Sequence, residues 1–448
     1  MSKTTITALD ATEILDSRGR PTLEVFLRTS DGKEVSAQVP SGASTGQSEA
    51  HELRDGEHIV NAGQAGKLRH AGKGVQQACA HVRGELAQAV LGMDVTEQGA
   101  IDHALCAADA TPNKARLGAN AILGISCAVA RAGALVRGQA LWEYLAGKRR
   151  AVLPLPMVNI LSGGLHAREG MEFQDFLAIP HGAESFAQAM EWICDLHRAT
   201  AAELSAGGVG LSGVADEGGW GPRLATNEAA LEVLTRATER AGLRPGEDIA
   251  FALDVAASHF YRDGLYHLSS EGRACDAGEF IALLTRLARR FPIVSIEDGL
   301  EQNAWTDWPA LTAALGGTCQ IIGDDFLTTN PLRLERAIGE RAANAVLVKM
   351  NQIGTLTETF TVVDRAAASG WRAVISARSG ETEDSFLADL AVASGMAQIK
   401  VGSITRSERL AKYNRLLRLE QTAVAGGMMA PWQSAPERLA PSPSAISN

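Results

Sequence analysis

The sequence predicts an α/β protein: a (β/α)8-type barrel with an irregular antiparallel start over residues 146–425, preceded by an N-terminal α+β capping domain over residues 1–145. Short apolar runs alternate with amphipathic stretches through the later two-thirds of the chain, the pattern of a parallel sheet wrapped in helices. Eight runs can be counted, the number such a barrel requires: LPMVNIL, FQDFLAIP, IAFALDV, PIVSIED, CQIIGDD, AVLVKM, RAVISAR and AQIKVG. Most of them finish on a charged residue, as expected where barrel strands converge on a reactive mouth.

The capping domain opens with TLEVFLRT, a D-G turn and EVSAQVP, which together predict a hairpin. Within Asn120–Arg137, Ile122, Ile125, Val129 and Ala132 recur at helical spacing. The domain should end near GKRRAVLPLP, where charge gives way to a proline-punctuated apolar run. FQDFLAIP follows LPMVNIL too closely for a helix between them, so the barrel should open with an antiparallel hairpin. Residues 426–448 are rich in Gly, Pro and Ser without a period, and read as a flexible tail or a loose wrap over a neighbour.

Of the 448 residues, 46% are hydrophobic and 21% charged, the composition of an ordinary globular protein with room for two domains. The formal net charge of −10 argues against a nucleic-acid surface. No basic start runs into an apolar segment, and no apolar run approaches a membrane span, so a cytoplasmic protein without membrane contact is expected. The six cysteines form no C-x-x-C pair and read as reduced core thiols.

Asp254, Glu297, Asp324, Lys349, Arg378 and Lys400 stand at the predicted strand ends. A lone Asp there is often only a helix cap. Three carboxylates from successive strands, crowded into one mouth, need cations between them. Oxygen ligands without His or Cys select a hard cation such as Mg²⁺. With two lysines facing it, such a site can stabilise an enolate, a lysine whose pKa is lowered by nearby cations taking the α-proton. PSGASTG (Pro40–Gly46) lacks the ending of a P-loop and reads as a lid able to reach a metal or phosphate. VADEGGWGP, with Glu217, reads by itself as a turn.

Taken together, ILDSRGRPTLEV, PSGASTGQSEAHELRDG, TPNKARLGANAILGISCAVARA, ADEGG, ALDVAAS, SIED, GDDFLTTNP, LVKMNQIGTLTET, RSGETEDSFLADLAV and RSERLAKYNRLLRLE resemble enolase, phosphopyruvate hydratase, from residue 12 to about 420. The resemblance implies a hydro-lyase with two Mg²⁺ ions and a homo-oligomer, a dimer or octamer. It implies Asp254, Glu297 and Asp324 as ligands of the first Mg²⁺, and Ser44 at the second. Lys349 would be the base at C2, Lys400 the holder of the substrate carboxylate, and Glu217 the acid at the leaving hydroxyl. Arg378 and Ser379 would grip the phosphoryl group, with His166, Gly42 and Ala43 also at the substrate.

The chain departs from the family pattern in two mechanistically grouped places. Ala377 stands where S-H-R-S-G-E-T-E-D normally has histidine, and Asp175 replaces the glutamate of Q-E-F. Carbanion-forming groups are retained, while the elimination side is altered. The expectation is therefore a paralogue dehydrating a phosphonate analogue, 2-phosphonoformylglycerate to carboxyphosphonoenolpyruvate, in natural-product biosynthesis of the phosphinothricin type. The alternatives are ordinary enolase acting on 2-phosphoglycerate and a non-catalytic binding protein of the same fold. His259 is a conceivable substitute for the missing histidine, with a structural role the plainer reading.

Overall fold

The computed structural model describes residues 3–42, 45–56, 67–167, 170–211 and 213–422. Strands β1 (Ile6–Leu15), β2 (Pro21–Thr29) and β3 (Glu34–Gln38) form an antiparallel sheet in that order. The predicted hairpin is β2–β3, turning at Asp31-Gly32, where Gly32 has φ +80°. Sequence periodicity does not reveal β1: a register shift between Ile6 and Ala8 interrupts the alternation that marks a half-buried strand.

A helix over Ala119–Arg137 lies across β2 and β3, one residue longer than its predicted span, and stops at the left-handed Gly138. By length and hydropathy it could cross a bilayer, but 83% of its most apolar window is buried inside the protein. It is a core helix.

The barrel strands are β4 (Leu155–Ser162), β5 (Asp175–Ile179) and β6 (Ala250–Asp254). A small antiparallel sheet follows, of β7 (Tyr261–Arg262), β8 (Leu265–Leu268) and β9 (Arg273–Cys275). The barrel resumes with β10 (Ile293–Glu297), β11 (Gln320–Gly323), β12 (Ala345–Val348), β13 (Arg372–Ser376) and β14 (Gln398–Gly402). It closes through β14 against β4. Every neighbouring pair is parallel except β4–β5 and β5–β6, so β5 alone runs in reverse. Two helices, Phe186–Ala206 and Asn227–Arg240, pack on each other between β5 and β6. The fully buried barrel strands are nearly continuous apolar runs, as strands covered on both faces must be.

The N-terminal sheet rests on the mouth side of the barrel. Ser41 and Gly380 exchange backbone hydrogen bonds at 2.8 and 2.9 Å, and the Ser17 N–H donates to Glu381 O at 2.8 Å. Arg131 pairs with Asp384, and Lys114 with Glu358 at 2.9 Å. The loop after β13 is therefore gripped from the other domain before any ligand arrives.

Candidate functional site

Parallel strands deliver their C-terminal ends to one face. Asp254 and Glu297 are the last residues of β6 and β10 and are register partners; Asp324 and Lys349 directly follow β11 and β12. Lys400 differs from expectation: it lies in the middle of β14, opposite Ser376 and Met157, and reaches the mouth from inside the barrel. Because β5 is reversed, its first residue, Asp175, arrives at the same face, opposite Asp254.

These groups line a pocket of about 400 Å³, with His166, Gln174, Glu217, Asp254, Asp324, Lys349, Ala377, Arg378, Ser379 and Lys400 on its walls. Glu297 lies directly behind Lys400, and Asp175 behind His166. Gly42 accepts a bond from Arg18 Nη2 at 3.0 Å through its carbonyl. Ala43, Ser44 and the tail 426–448 fall outside the described residues. His259 lies exposed in the single turn Ala257–His259 after β6 and is not on the pocket wall.

On one side, ammonium and carboxylate groups interleave. Lys400 Nζ donates to Asp254 Oδ2 at 2.7 Å and to both Glu297 oxygens at 2.8 and 2.7 Å. Lys349 Nζ lies 2.5 Å from Asp324 Oδ2, while Gln352 Nε2 donates to Asp324 Oδ1 at 2.9 Å. Burial pulls Lys400 down, but Asp254 and Glu297 more than offset it and hold the ammonium well above the usual lysine range. Burial and the Asp254 charge push Glu297 up. Lys349 departs from the expectation that nearby cations lower its pKa. Burial and Arg378 do act in that direction, yet Asp324 outweighs them and the lysine is raised.

This side fits a hard cation. The donors are oxygens, they are buried, and Lys400 already supplies positive charge at the point where Asp254 and Glu297 converge. Among the described residues, metal-competent atoms approach within 4.8 Å of one another in two sets that only partly coincide with the predicted ligands: Asp298/Asp324/Asp325 and His166/Asp175/Glu217. Asp254 and Glu297 are instead engaged by Lys400.

Across the pocket, His166 Nδ1 lies 3.1 Å from Asp175, and its Nε2 lies 4.0 Å from Glu217 Oε1. Burial pulls His166 down; Asp175 and Glu217 more than reverse this and raise it to about 9. Burial pushes Asp175 up as well, but Asn159 at 2.5 Å and Ser162 at 2.9 Å also donate to its Oδ1, which favours an imidazolium–carboxylate pair.

The loop after β13 carries the third group. Arg409, fully buried on the helix Ser407–Thr422, donates to the carbonyls of Arg378 at 2.6 Å and Ser379 at 2.7 Å, fixing their backbone. Ala377 is 6% exposed and presents only a methyl group to the pocket.

Several participants escape sequence reasoning. Asp298 accepts the N–H groups of Asp324 and Asp325 at 2.8 Å each, and so aims the turn that presents Asp324. Burial, then Asp324, raises Asp325 to about 7. The doublets in SIED and GDD were the available signal for both. Glu49, which pairs with Arg378, lies in PSGASTGQSEAHELRDG, one of the strings that carry the resemblance, but its polar neighbours give it no role of its own.

Residues 6–145 match the family model for the enolase N-terminal domain, and residues 150–434 match that for the enolase C-terminal TIM barrel domain. An enolase of Rubrobacter xylanophilus (strain DSM 9941 / JCM 11954 / NBRC 16129 / PRD-1) is 51% identical over 419 residues, covering 94% of this chain and 95% of that protein. That similarity favours ordinary enolase chemistry over the specialised phosphonate reading expected from Ala377.

Proposed function

The chain belongs to the enolase family of carbon–oxygen lyases, and from that premise we propose that it converts 2-phosphoglycerate to phosphoenolpyruvate with Mg²⁺. One observation carries the reading: a single pocket has buried lysine–carboxylate pairs on one wall and the His166–Asp175–Glu217 group on the other. An elimination needs this division, a base at one carbon and an acid at the next.

Asp254, Glu297 and Asp324 would hold Mg²⁺, with Ser44 at a second ion. When bound, Mg²⁺ supplies charge that offsets the negative charge collecting on the substrate carboxylate as the C2 proton leaves. Lys349, freed from Asp324 and deprotonated, takes that proton on Nζ. Lys400 holds the substrate carboxylate. Glu217 gives its proton to the C3 hydroxyl, which leaves as water as the C2–C3 double bond forms. His166 Nε2 lies 4.0 Å from Glu217 Oε1, on the same side of the pocket. Arg378 and Ser379 bind the phosphoryl group. The assembly is a homo-oligomer in this reading.

A second reading keeps the same residues and changes the substrate. Ala377 leaves space where an imidazole would stand, and that space favours the bulkier phosphonate, 2-phosphonoformylglycerate. Incubation with Mg²⁺ and each acid in heavy water, following C2 exchange and the enol absorbance, separates the two. Efficient turnover of 2-phosphoglycerate is expected. Turnover confined to the phosphonate would replace the first reading with the second, and neither exchange nor turnover on either acid would sink both.

A further inference from the structure

We infer that Glu49 is a positioning residue for the Arg378 guanidinium, which rests on the proposed role of Arg378 in binding the phosphoryl group. Glu49 Oε2 accepts from Arg378 Nη1 at 2.9 Å and Oε1 from Nη2 at 3.1 Å, a bidentate fork between side chains that are 6% and 3% exposed. Asn351 Oδ1 accepts a further bond from Nη1 at 2.9 Å. Two parallel bonds fix the plane of a guanidinium, as one bond cannot.

Glu49 is itself held. Its Oε1 also accepts from the Gly46 N–H at 3.0 Å and from Gln352 Nε2 at 3.2 Å, and the Ala50 N–H donates to Gln352 O at 2.8 Å. The same Gln352 amide donates to Asp324 Oδ1 at 2.9 Å and accepts from Thr329 Oγ1 at 2.7 Å. One amide thus joins the carboxylate that orients the arginine to a carboxylate of the proposed cation site. Gly46 packs closely on the barrel, since a Cβ there would lie 2.6 Å from Thr328 Cγ2. The phosphoryl-binding fork and the cation ligand are therefore oriented by one connected set of bonds, spanning both domains.

The sign of the effect tests this. By Coulomb's law alone, removing the Glu49 charge strengthens anion binding; loss of positioning weakens it. Using the Mg²⁺-loaded protein, inorganic phosphate binding is measured by calorimetry and 2-phosphoglycerate kinetics by absorbance. Glu49→Gln is expected to weaken phosphate about tenfold and raise KM similarly, with kcat within about threefold, because orientation of a bound anion rather than chemistry is lost. In an Arg378→Lys background, which has no fork, the same substitution should change phosphate affinity by less than about twofold. Equal losses in both backgrounds, or tighter phosphate binding by Glu49→Gln, overturn the inference and leave the role of Arg378 standing. Unchanged phosphate binding by Arg378→Lys alone overturns that role, and the inference with it. If Glu49→Gln does not fold, Glu49→Asp decides: it keeps the charge but shortens the fork, and wild-type phosphate affinity would refute positioning.

Discussion

Ala377 contributes a methyl group between a strand and an arginine, and its importance lies in what the neighbouring pocket lacks. Restoring imidazole by Ala377→His should raise kcat on 2-phosphoglycerate, by up to about 10²-fold if the ring acts as a positioned acid or base. The enol absorbance reports it, and no gain would mean that Glu217 and His166 already suffice. At this scale the sequence was legible where a motif carried a charge to a strand end, as for Asp254, Glu297 and Asp324. It was only faintly legible for Asp298, through the acidic doublet of SIED, and gave no role for Glu49; both are engaged through hydrogen bonds to backbone or to another charge. Composition and periodicity do not encode such bonds. The raised pKa of Lys349 was missed for a related reason: its nearest charge is an anion on the adjacent strand end, 2.5 Å away.

Among the elements, the segment linking β13 to the next helix is tightly constrained. A Cβ on Gly380 would lie 2.4 Å from Asp16 Oδ2, 2.5 Å from Arg18 Nη2 and 2.6 Å from Ser41 O. The last is backbone in a paired bridge and has little freedom to yield. Gly380→Ala should therefore cost about 1–3 kcal/mol, the range for overpacking a filled site. Chemical denaturation measures the loss, and an unchanged midpoint would mean that the interface yields more easily than its geometry suggests. All eight barrel strands were readable as apolar runs because burial on both faces leaves no polar alternation to confuse them. The strands β7 to β9 were not, being two to four residues each with partly exposed patterns. The position of Lys400 within β14 was hidden because an apolar run shows its extent but not its depth in the barrel.

For the whole molecule, buried charge ties folding to cations and protons. Lys400→Met would leave Asp254 and Glu297 facing each other, and removing one partner of a buried pair typically costs about 3–5 kcal/mol. Added Mg²⁺ should recover part of this by binding the folded state, so the variant's thermal midpoint should rise more with Mg²⁺ than that of the parent. Equal rises would argue against cation binding between these acids. His166 gives the proton counterpart. Its folded pKa, about 9, lies above the ordinary 6.5, so its contribution is complete below about 6.5 and is lost as pH rises through about 9. The stability gap between the parent and His166→Gln, read from urea midpoints, should narrow across that window. A gap independent of pH would remove the charged pair from the account.

The reversal of β5 has an arithmetical consequence. Each strand that climbs to the mouth must be followed by an odd number of intervening elements before the next can climb, and one helix is enough. A strand that descends leaves the chain at the opposite end, where the next strand can climb after no further element or after two; here there are two, the helices Phe186–Ala206 and Asn227–Arg240. The turn between them is thereby returned to the mouth, and it carries Glu217. Direction thus accounts for two acids at once: Asp175 because a downward strand begins at the mouth, and Glu217 because a two-helix connection from the far end must turn there. The stretch between β4 and β5, which also begins and ends at the mouth, can for the same reason be exchanged for a different loop without rethreading the rest of the barrel.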